Sequence, residues 1–440
     1  MKRLALLMAL VACSGPTGLN GSPVFRTSAL GLSSSGSPIQ HVVIIVQENR
    51  SVDNLFQFLP GANTQSWGYN SKGEKIKLRA VNMTAPFDMD HEHADFLTQY
   101  AKGDMDGWDL IGCAGECGRS TAFGYVPQGQ VQPYYTMAEQ YAFADNMFQS
   151  NEGPTFVAHQ YLISGTSTIK QHSVYVADNN PGNQSDSPNG GCNSQPSSTV
   201  ESININTGAP GPNVFPCFAR KTLMDLIMAG SSSYTWMYFQ ETNGSGLMHA
   251  PDAIEQIFEN PHYNEYVKWP SSRVLTTIQN GALPTVAWVT PSKADSDHPR
   301  DNNGTGPAWV ASIVNAIGES PYWDNTAIFI TWDDWGGWFD HVKPRIYNAN
   351  ELGFRVPLIV ISAYTRKGYI SHDQHEFGSI LKYTEQNFGL PSLGTTDRRA
   401  DNLSSFFDYK MTPREFVPIA STKKASYFIH LKPETTPLRD

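Results

Sequence analysis

Two long apolar runs constrain the fold of this chain more than any other feature of its sequence. Residues 42–46 are all valine or isoleucine, and residues 326–332 are all apolar or β-branched. Such runs are typical of strands buried on both faces of a parallel sheet, because each side chain meets a covering helix. Similar strands alternate with helical stretches, of which residues 137–143 are one. The sequence therefore predicts an α/β fold, a mostly parallel central sheet with helices on both faces.

Both apolar runs end abruptly at polar residues. Glu48 and Asn49 follow the first run, and Asp333 and Asp334 follow the second. Open α/β sheets bind ligands just outside the carboxyl ends of their strands, so we expect these side chains at one binding edge. Adjacent carboxylates are costly to bury unless a cation compensates their charge. An ordinary polar turn is the alternative after the first run alone, but the two acidic strand ends together favour a metal site.

The residues around both strand ends resemble a known family. The chain reads Glu-Asn-Arg-Ser-x-Asp from Glu48, Ser-Asp-His-Pro at 296–299, and Thr-Trp-Asp-Asp-x-Gly-Gly-x-x-Asp-His from Thr331. These motifs, in this order, resemble the phosphoesterase family of bacterial acid phosphatases and phosphatidylcholine-type (non-specific) phospholipases C. That family belongs to the alkaline-phosphatase-like superfamily of metal-dependent hydrolases. The resemblance implies an alkaline-phosphatase-like fold and the hydrolysis of phosphoric esters.

The resemblance also implies which residues bind the metal and which one attacks the substrate. Glu48, Asn49, Asp333 and Asp334 match metal ligands, and Thr155, which follows Asn-Glu-Gly-Pro, matches a nucleophile that also contacts the metal. We expect one divalent ion, and these ligands suit Mg²⁺, Ca²⁺, Mn²⁺ or Zn²⁺ without distinguishing among them. Attack by Thr155 would form a phosphothreonine intermediate. From the residues alone, Thr155 is a helix-start threonine whose hydroxyl could simply cap the helix.

Several histidines are candidates for proton transfer and phosphate binding. His91, His298 and His341 match histidines of the family motifs, and we expect them to act on the phosphate or on the leaving group. His159 lies one turn into the helix that the nucleophile begins, and the sequence leaves open whether it faces the site or the core. His93 is expected to point elsewhere. Taken alone, each of these would be read as a surface or buried structural histidine.

The amino terminus has the features of an export signal. Two basic residues precede an apolar run that is too short to span a membrane, which predicts a secretory signal over residues 1–13. Cys13 also ends a lipobox-like pattern, so lipid anchoring to the bacterial cell envelope and simple secretion are both open. Residues 14–38 are expected to be a flexible linker, and residues 39–440 a single domain with a loop insertion at about 176–216. We therefore expect a secreted or periplasmic protein.

The remaining cysteines agree with an exported protein. They are Cys113, Cys117, Cys192 and Cys217. An even number in an exported chain predicts two disulfides, and pairing each cysteine with its sequence neighbour closes the shortest loops. Four cysteines allow three connectivities, and a zinc site formed by all four is a further alternative.

Charge restricts the substrate. The net charge of −10 disfavours nucleic acid, because no basic stripe would offset phosphate repulsion. A small phosphate ester or a phospholipid remains possible, with local positive charge from the metal and the histidines. Membrane contact is expected only through a lipid at the amino terminus or through the substrate surface. The sequence does not separate phospholipase C from acid phosphatase, and an inactive surface binding protein that retains the fold is the alternative function.

Overall fold

A computed structural model describes residues 36–182 and 189–437. They all lie within one compact unit, Leu32–Asp440. The predicted signal segment, Cys13 and almost all of the predicted linker lie outside the described residues. An eight-stranded sheet forms the centre of the unit. Its strands are β1 (His41–Gln47), β2 (Ala142–Ala144), β3 (Trp236–Phe239), β4 (Val267–Lys268), β5 (Val286–Val289), β6 (Thr326–Trp332), β7 (Leu358–Ile361) and β8 (Tyr369–Ser371).

The strands of the central sheet lie in the order β4-β3-β5-β1-β6-β7-β2-β8. Neighbouring strands are parallel except at β7, which is antiparallel to both β6 and β2. The predicted mostly parallel sheet is thereby confirmed. The two strands made by the long apolar runs, β1 and β6, are adjacent, with Gln47 opposite Trp332. Because these strands end at the same level, Glu48 and Asp333 begin the polar segments side by side.

Helices cover both faces of this sheet, as the sequence predicts. They are α1 (Val52–Leu55), α2 (His93–Tyr100), α3 (Gln132–Gln140), α4 (Thr155–Ser164), α5 (Leu223–Gly230), α6 (Glu255–Phe258), α7 (Tyr263–Tyr266), α8 (Arg273–Gln279), α9 (Gly306–Gly318), α10 (Phe377–Phe388) and α11 (Ala425–Ile429). Phe329 and Trp332 of β6 point to opposite faces because they are three residues apart in a strand. Trp332 packs against Tyr134 of α3, whereas Phe329 packs against Tyr383 of α10.

One secondary-structure prediction was wrong. Residues 137–143 were expected to be helical throughout, but α3 ends at Gln140 and Ala142–Ala144 forms β2. These three residues pair with β7 on one side and β8 on the other. Tertiary pairing therefore overrides the local helical preference of an alanine-containing segment.

The predicted loop insertion contains some regular structure. Tyr175–Ala177 pairs antiparallel with Ser202–Asn204 within it. Cys192 is bonded to Cys217, which closes most of this segment. The other short paired strands are Trp67–Tyr69 with Lys75–Lys77, Arg79–Ala80 with Gly124–Tyr125, Asp88–Met89 with Cys113–Ala114, and Met147–Phe148 with His375–Glu376. Cys113 is bonded to Cys117, so the structure has the expected connectivity.

No helix within the described ranges combines the length and the apolar composition that crossing a lipid bilayer requires.

Candidate active site

The backbone ties the two polar strand ends together. The Asp333 amide donates to the Gln47 carbonyl at 2.9 Å, which extends the strand pairing by one residue. The Asn49 amide then donates to Asp333 Oδ1 at 3.1 Å, and the Arg50 amide donates to the Asp334 carbonyl at 3.0 Å. The predicted ligands Glu48, Asn49, Asp333 and Asp334 are all fully buried. Hydrogen bonds in which the main chain takes part thus set the positions of the two strand ends relative to each other.

Thr155 lies beside the same two strand ends but belongs to a different element, helix α4. It is the first residue of α4 and follows Pro154, which is in extended conformation. Its Oγ1 lies 3.4 Å from Asp334 Oδ2, and its side chain is fully buried. The Phe156 amide already donates to Asn180 Oδ1 at 2.9 Å, so it is not available to a bound phosphate. Anion binding by the helix start is therefore weaker than helix geometry alone suggests, and no side-chain hydrogen bond from the described residues caps α4.

Glycines allow the close approach of these segments. A Cβ at Gly153 would lie 2.5 Å from the Asp178 carbonyl oxygen, so a side chain there would push the segment before Thr155 away. Gly336 has a φ of +60°, and a Cβ there would lie 2.4 Å from the Asn49 carbonyl oxygen. Only glycine fits both positions without a backbone shift.

His91 lies beside these residues, and His298 lies beside His91. His91 donates from Nδ1 to the Met89 carbonyl at 2.6 Å, and its Nε2 accepts from Asn49 Nδ2 at 2.8 Å. The same Nε2 is 3.9 Å from Asp334 Oδ2. His298 donates from Nδ1 to the Pro299 carbonyl at 2.7 Å. Backbone contacts thus hold Nδ1 of both rings in the protonated form, while Nε2 faces Asn49 in His91 and Asp88 in His298.

The two rings are close enough to act on one substrate. The ring centroids of His91 and His298 are 6.4 Å apart. His298 Nε2 lies 3.7 Å from Asp88 Oδ2.

His341 lies in a different cluster. It donates from Nδ1 to Asp53 Oδ2 at 2.7 Å, and its Nε2 is 3.1 Å from Asn63 Oδ1. Within residues 36–182 and 189–437, Asp53, Asp340 and His341 are the one group of histidine, cysteine and acidic side chains whose ligand atoms all lie within 4.8 Å of one another. No hydrogen bond or ion pair of the described residues joins His341 to the predicted metal ligands.

The His341 cluster already contains a cation of its own. Arg355, which is fully buried, donates to both carboxylate oxygens of Asp340 at 2.7 and 3.0 Å. Its guanidinium is also 3.6 Å from Asp53 Oδ1. This bidentate guanidinium balances the charge of Asp340 and offsets part of the charge of Asp53 without a metal ion. We interpret it as a buried ion-pair network that supports α1 and the loop after β6.

The residues at the strand ends, by contrast, suit a divalent cation. Asn49 Oδ1 is buried and accepts no hydrogen bond from any described residue. Asn49 also has a positive φ of 60°, a conformation that costs energy in a non-glycine residue and that concentrates at functional sites. Amide and carboxylate oxygens are the ligands that a hard or borderline ion prefers, and hydrogen bonds join the segments that carry Asn49, Asp333 and Asp334. The donor set therefore fits the ion that the sequence predicts.

His159 is the residue that sequence reasoning left open, and it faces the site. Its Nε2 is 3.7 Å from Asp333 Oδ2, while its Nδ1 lies 3.3 Å from the Tyr238 hydroxyl. Burial, with a smaller effect from the positive charge of His249, lowers the pKa of His159 to about 3. The sequence feature that indicated this orientation is the position of His159 one turn after Thr155, because that spacing puts both side chains on one face of α4.

Asp297, beside His298 in the Ser-Asp-His-Pro motif, was not singled out from the sequence. Its Oδ2 accepts from the Tyr134 hydroxyl at 2.8 Å and from Trp332 Nε1 at 2.9 Å. Burial raises the pKa of Asp297 to about 7 despite the nearby charge of Arg50. Arg50 donates in turn to the Asp297 carbonyl from Nε at 2.9 Å. These contacts anchor the loop that carries His298 to the end of β6.

His93 points away from the metal ligands, as expected. Its Nε2 is 3.2 Å from Glu152 Oε2, and its Nδ1 is 3.5 Å from Asp178 Oδ2. Burial alone would lower the pKa of His93, but hydrogen bonds to Asp178 and Glu152 outweigh it and raise the pKa to about 9. The charged imidazole thus holds together the two segments that flank the approach to Thr155.

Comparison with known proteins identifies the class. The sequence profile of the phosphoesterase family matches residues 39–391, and the chain belongs to this family. Both the predicted family and the predicted enzyme class, a hydrolase of phosphoric esters, are thereby confirmed.

Several curated relatives carry phospholipase C names. Hemolytic phospholipase C of Pseudomonas aeruginosa is 22% identical over 84% of this chain and 56% of its own length. Non-specific phospholipase C6 of Arabidopsis thaliana is 22% identical over 87% of this chain and 75% of its own length. Phospholipase C A of Mycobacterium tuberculosis is 23% identical over 86% of this chain and 79% of its own length. The chain thus spans little more than half of the first of these relatives.

Among solved structures, an alkaline phosphatase superfamily protein from Vibrio parahaemolyticus covers 84% of this chain and 70% of its own, at 10% identity and a TM-score of 0.38. The fold of this chain is defined by its own sheet order and not by this structural likeness.

Proposed function

We propose that this protein is an exported, metal-dependent phosphoesterase of the phospholipase C type, which cleaves its substrate through a phosphothreonine intermediate. One observation carries the proposal. The hydroxyl of Thr155, at the start of α4, lies 3.4 Å from Asp334, at the end of β6, in a buried site that also contains Asn49 and His91. A hydroxyl, clustered carboxylates and imidazoles are the groups that phosphoryl transfer needs.

Each side chain has a role in this proposal. Thr155 attacks phosphorus while its hydroxyl proton passes to Asp334, which it contacts, and water later hydrolyses the phosphothreonine and restores the hydroxyl. His298, paired with Asp88 at 3.7 Å, donates the proton to the departing alkoxide. His91 accepts from Asn49 Nδ2 at 2.8 Å and so positions the Asn49 amide. A divalent ion bound by Glu48, Asn49, Asp333 and Asp334 would lower the pKa of the attacking hydroxyl and offset phosphate charge.

The phospholipase C assignment is supported by the names of the relatives that match most of the chain. An acid phosphatase is the second candidate, because both activities need the same catalytic groups. Export is supported by the signal-like residues 1–13 and by the two disulfide bonds. Whether Cys13 is acylated is a separate question, which mass spectrometry of the mature amino terminus answers.

Parallel turnover assays test the proposal. Purified protein, treated with a chelator and then supplied with one metal at a time, is assayed on phosphatidylcholine vesicles and on p-nitrophenyl phosphate. We expect metal-dependent release of diacylglycerol and phosphocholine, with slower turnover of the monoester. Preference for the monoester would favour the acid phosphatase. Absence of turnover on both, with intact fold and bound metal, would support the inactive binding protein.

A further inference from the structure

His159 has a defined protonation pattern that follows from its neighbours. The Tyr238 hydroxyl donates its proton to the Met248 carbonyl at 2.6 Å. Its oxygen can therefore only accept from His159 Nδ1, at 3.3 Å. In the neutral ring this places the proton on Nδ1 and the lone pair on Nε2.

The lone pair of Nε2 points towards the metal ligands. Nε2 is buried, has no hydrogen-bond donor among the described residues, and lies 3.7 Å from Asp333 Oδ2. A nitrogen lone pair and a carboxylate oxygen repel each other unless a proton or a cation lies between them. A neutral ring with its proton on Nε2 would require Nδ1 to accept from Tyr238, whose proton is already engaged. The neutral ring therefore turns the Nε2 lone pair towards a carboxylate, an arrangement that a cation between the two satisfies.

We propose that His159 Nε2 is a further ligand of the divalent ion, with Tyr238 as the outer partner that orients the ring. The inference rests on the metal dependence in the proposed function. Two metal–ligand bonds of about 2.1 Å can span at most about 4.2 Å, and the 3.7 Å separation of Nε2 from Asp333 Oδ2 lies within this limit. Metal-bound histidines commonly donate their other nitrogen to an oxygen acceptor, as Nδ1 does here.

A nitrogen ligand narrows the choice of metal. Imidazole suits Fe²⁺ or Zn²⁺ better than Mg²⁺ or Ca²⁺, which prefer oxygen ligands throughout. We therefore expect the protein to select a transition metal over Mg²⁺ and Ca²⁺ when these are supplied together.

Pulsed electron paramagnetic resonance of the full-length protein loaded with Mn²⁺ tests the assignment directly. Electron spin-echo modulation from a directly bound imidazole ¹⁴N is expected in the wild-type protein. It should disappear in His159→Gln or His159→Asn, and persist in His91→Gln and in the exposed control His372→Gln. Mn²⁺ affinity should fall more than tenfold in His159→Gln, and about tenfold in Tyr238→Phe, the scale of a lost outer partner.

The outcomes separate this inference from the proposed function. Absence of ¹⁴N modulation in the Mn²⁺-loaded wild type, or its persistence in a folded His159→Gln protein, overturns the assignment. If neither His159 variant folds, the His91→Gln/His298→Gln double variant decides, since modulation retained there supports His159 and modulation lost there refutes it. Modulation without hydrolysis would refute the proposed function and support His159 as a ligand. Hydrolysis without modulation would support the proposed function and refute His159 as a ligand. Failure to bind Mn²⁺ would refute both the proposed function and the ligand assignment.

Discussion

Replacing Thr155 with alanine should abolish turnover and leave the protein folded. The substitution removes one buried methyl group, worth about 1 kcal/mol, and a hydroxyl. The 3.4 Å contact of that hydroxyl with Asp334 is at the long end of hydrogen bonding, so its loss costs no more than about 1 kcal/mol. A total of about 2 kcal/mol is small beside a domain stability of roughly 5–15 kcal/mol.

The kinetic effect should be much larger than the structural one. Loss of a nucleophile lowers turnover by about 10⁴- to 10⁶-fold, which corresponds to roughly 5–8 kcal/mol of barrier. Thr155→Val is the matched control, because it keeps the volume and removes only the hydroxyl, and it should lose as much activity as alanine. Thr155→Ser keeps the attacking oxygen and should retain appreciable activity.

Acid-quench mass spectrometry reports the intermediate. Wild-type protein mixed with substrate and quenched within the first turnovers should carry one added phosphoryl group on the peptide that contains Thr155. Retention of configuration at phosphorus, measured with oxygen-18 labels, should accompany it. A fully active Thr155→Ala protein, or inversion at phosphorus, would refute the mechanism, because either result means that water attacks directly.

Three further predictions concern the metal, a disulfide and a buried ion pair. Asp333→Asn should lower bound metal sharply, and chelation should stop hydrolysis, because each carboxylate carries part of the charge balance. Replacing Cys192 and Cys217 together with serine should destabilise the fold by about 3.5 kcal/mol, since their bond closes a 25-residue separation. The pKa of His93, about 9 against 6.5 for the free side chain, means that its ion pairs stabilise the fold fully below about pH 6.5. That stability, about 3 kcal/mol, should be lost as the pH rises through 9, and His93→Gln should remove the dependence.

For each of these three predictions, one experimental result would contradict it. Metal analysis that finds full occupancy in Asp333→Asn would remove that residue from the ligand set. Equal unfolding midpoints with and without the Cys192–Cys217 bond would show that the loop is held by other contacts. Unfolding free energies of wild type and His93→Gln that stay parallel from pH 6 to 10 would show that His93 is neutral in the folded protein.

The sequence by itself determined the sheet and the chemical nature of the site. Uninterrupted runs of apolar or β-branched residues are typical of strands covered on both faces, so β1 and β6 were predicted from residues 42–46 and 326–332. The polar residues that follow these runs were expected at the edge of the sheet where the carboxyl ends of the strands lie. Parallel strands all run in one direction, so their carboxyl ends meet at the same edge. Glu48 and Asp333 are therefore side by side in the structure as they were expected to be.

Only the tertiary structure decided which histidines join that site and which segments complete the sheet. His341 follows the acidic strand end closely in sequence but pairs with Asp53, whereas His159 comes from a distant helix and faces Asp333. A histidine takes its role from the charges packed around it, and residues far apart in the chain supply those charges. Likewise Ala142–Ala144 becomes a strand because β7 and β8 offer it backbone partners, which no local pattern encodes.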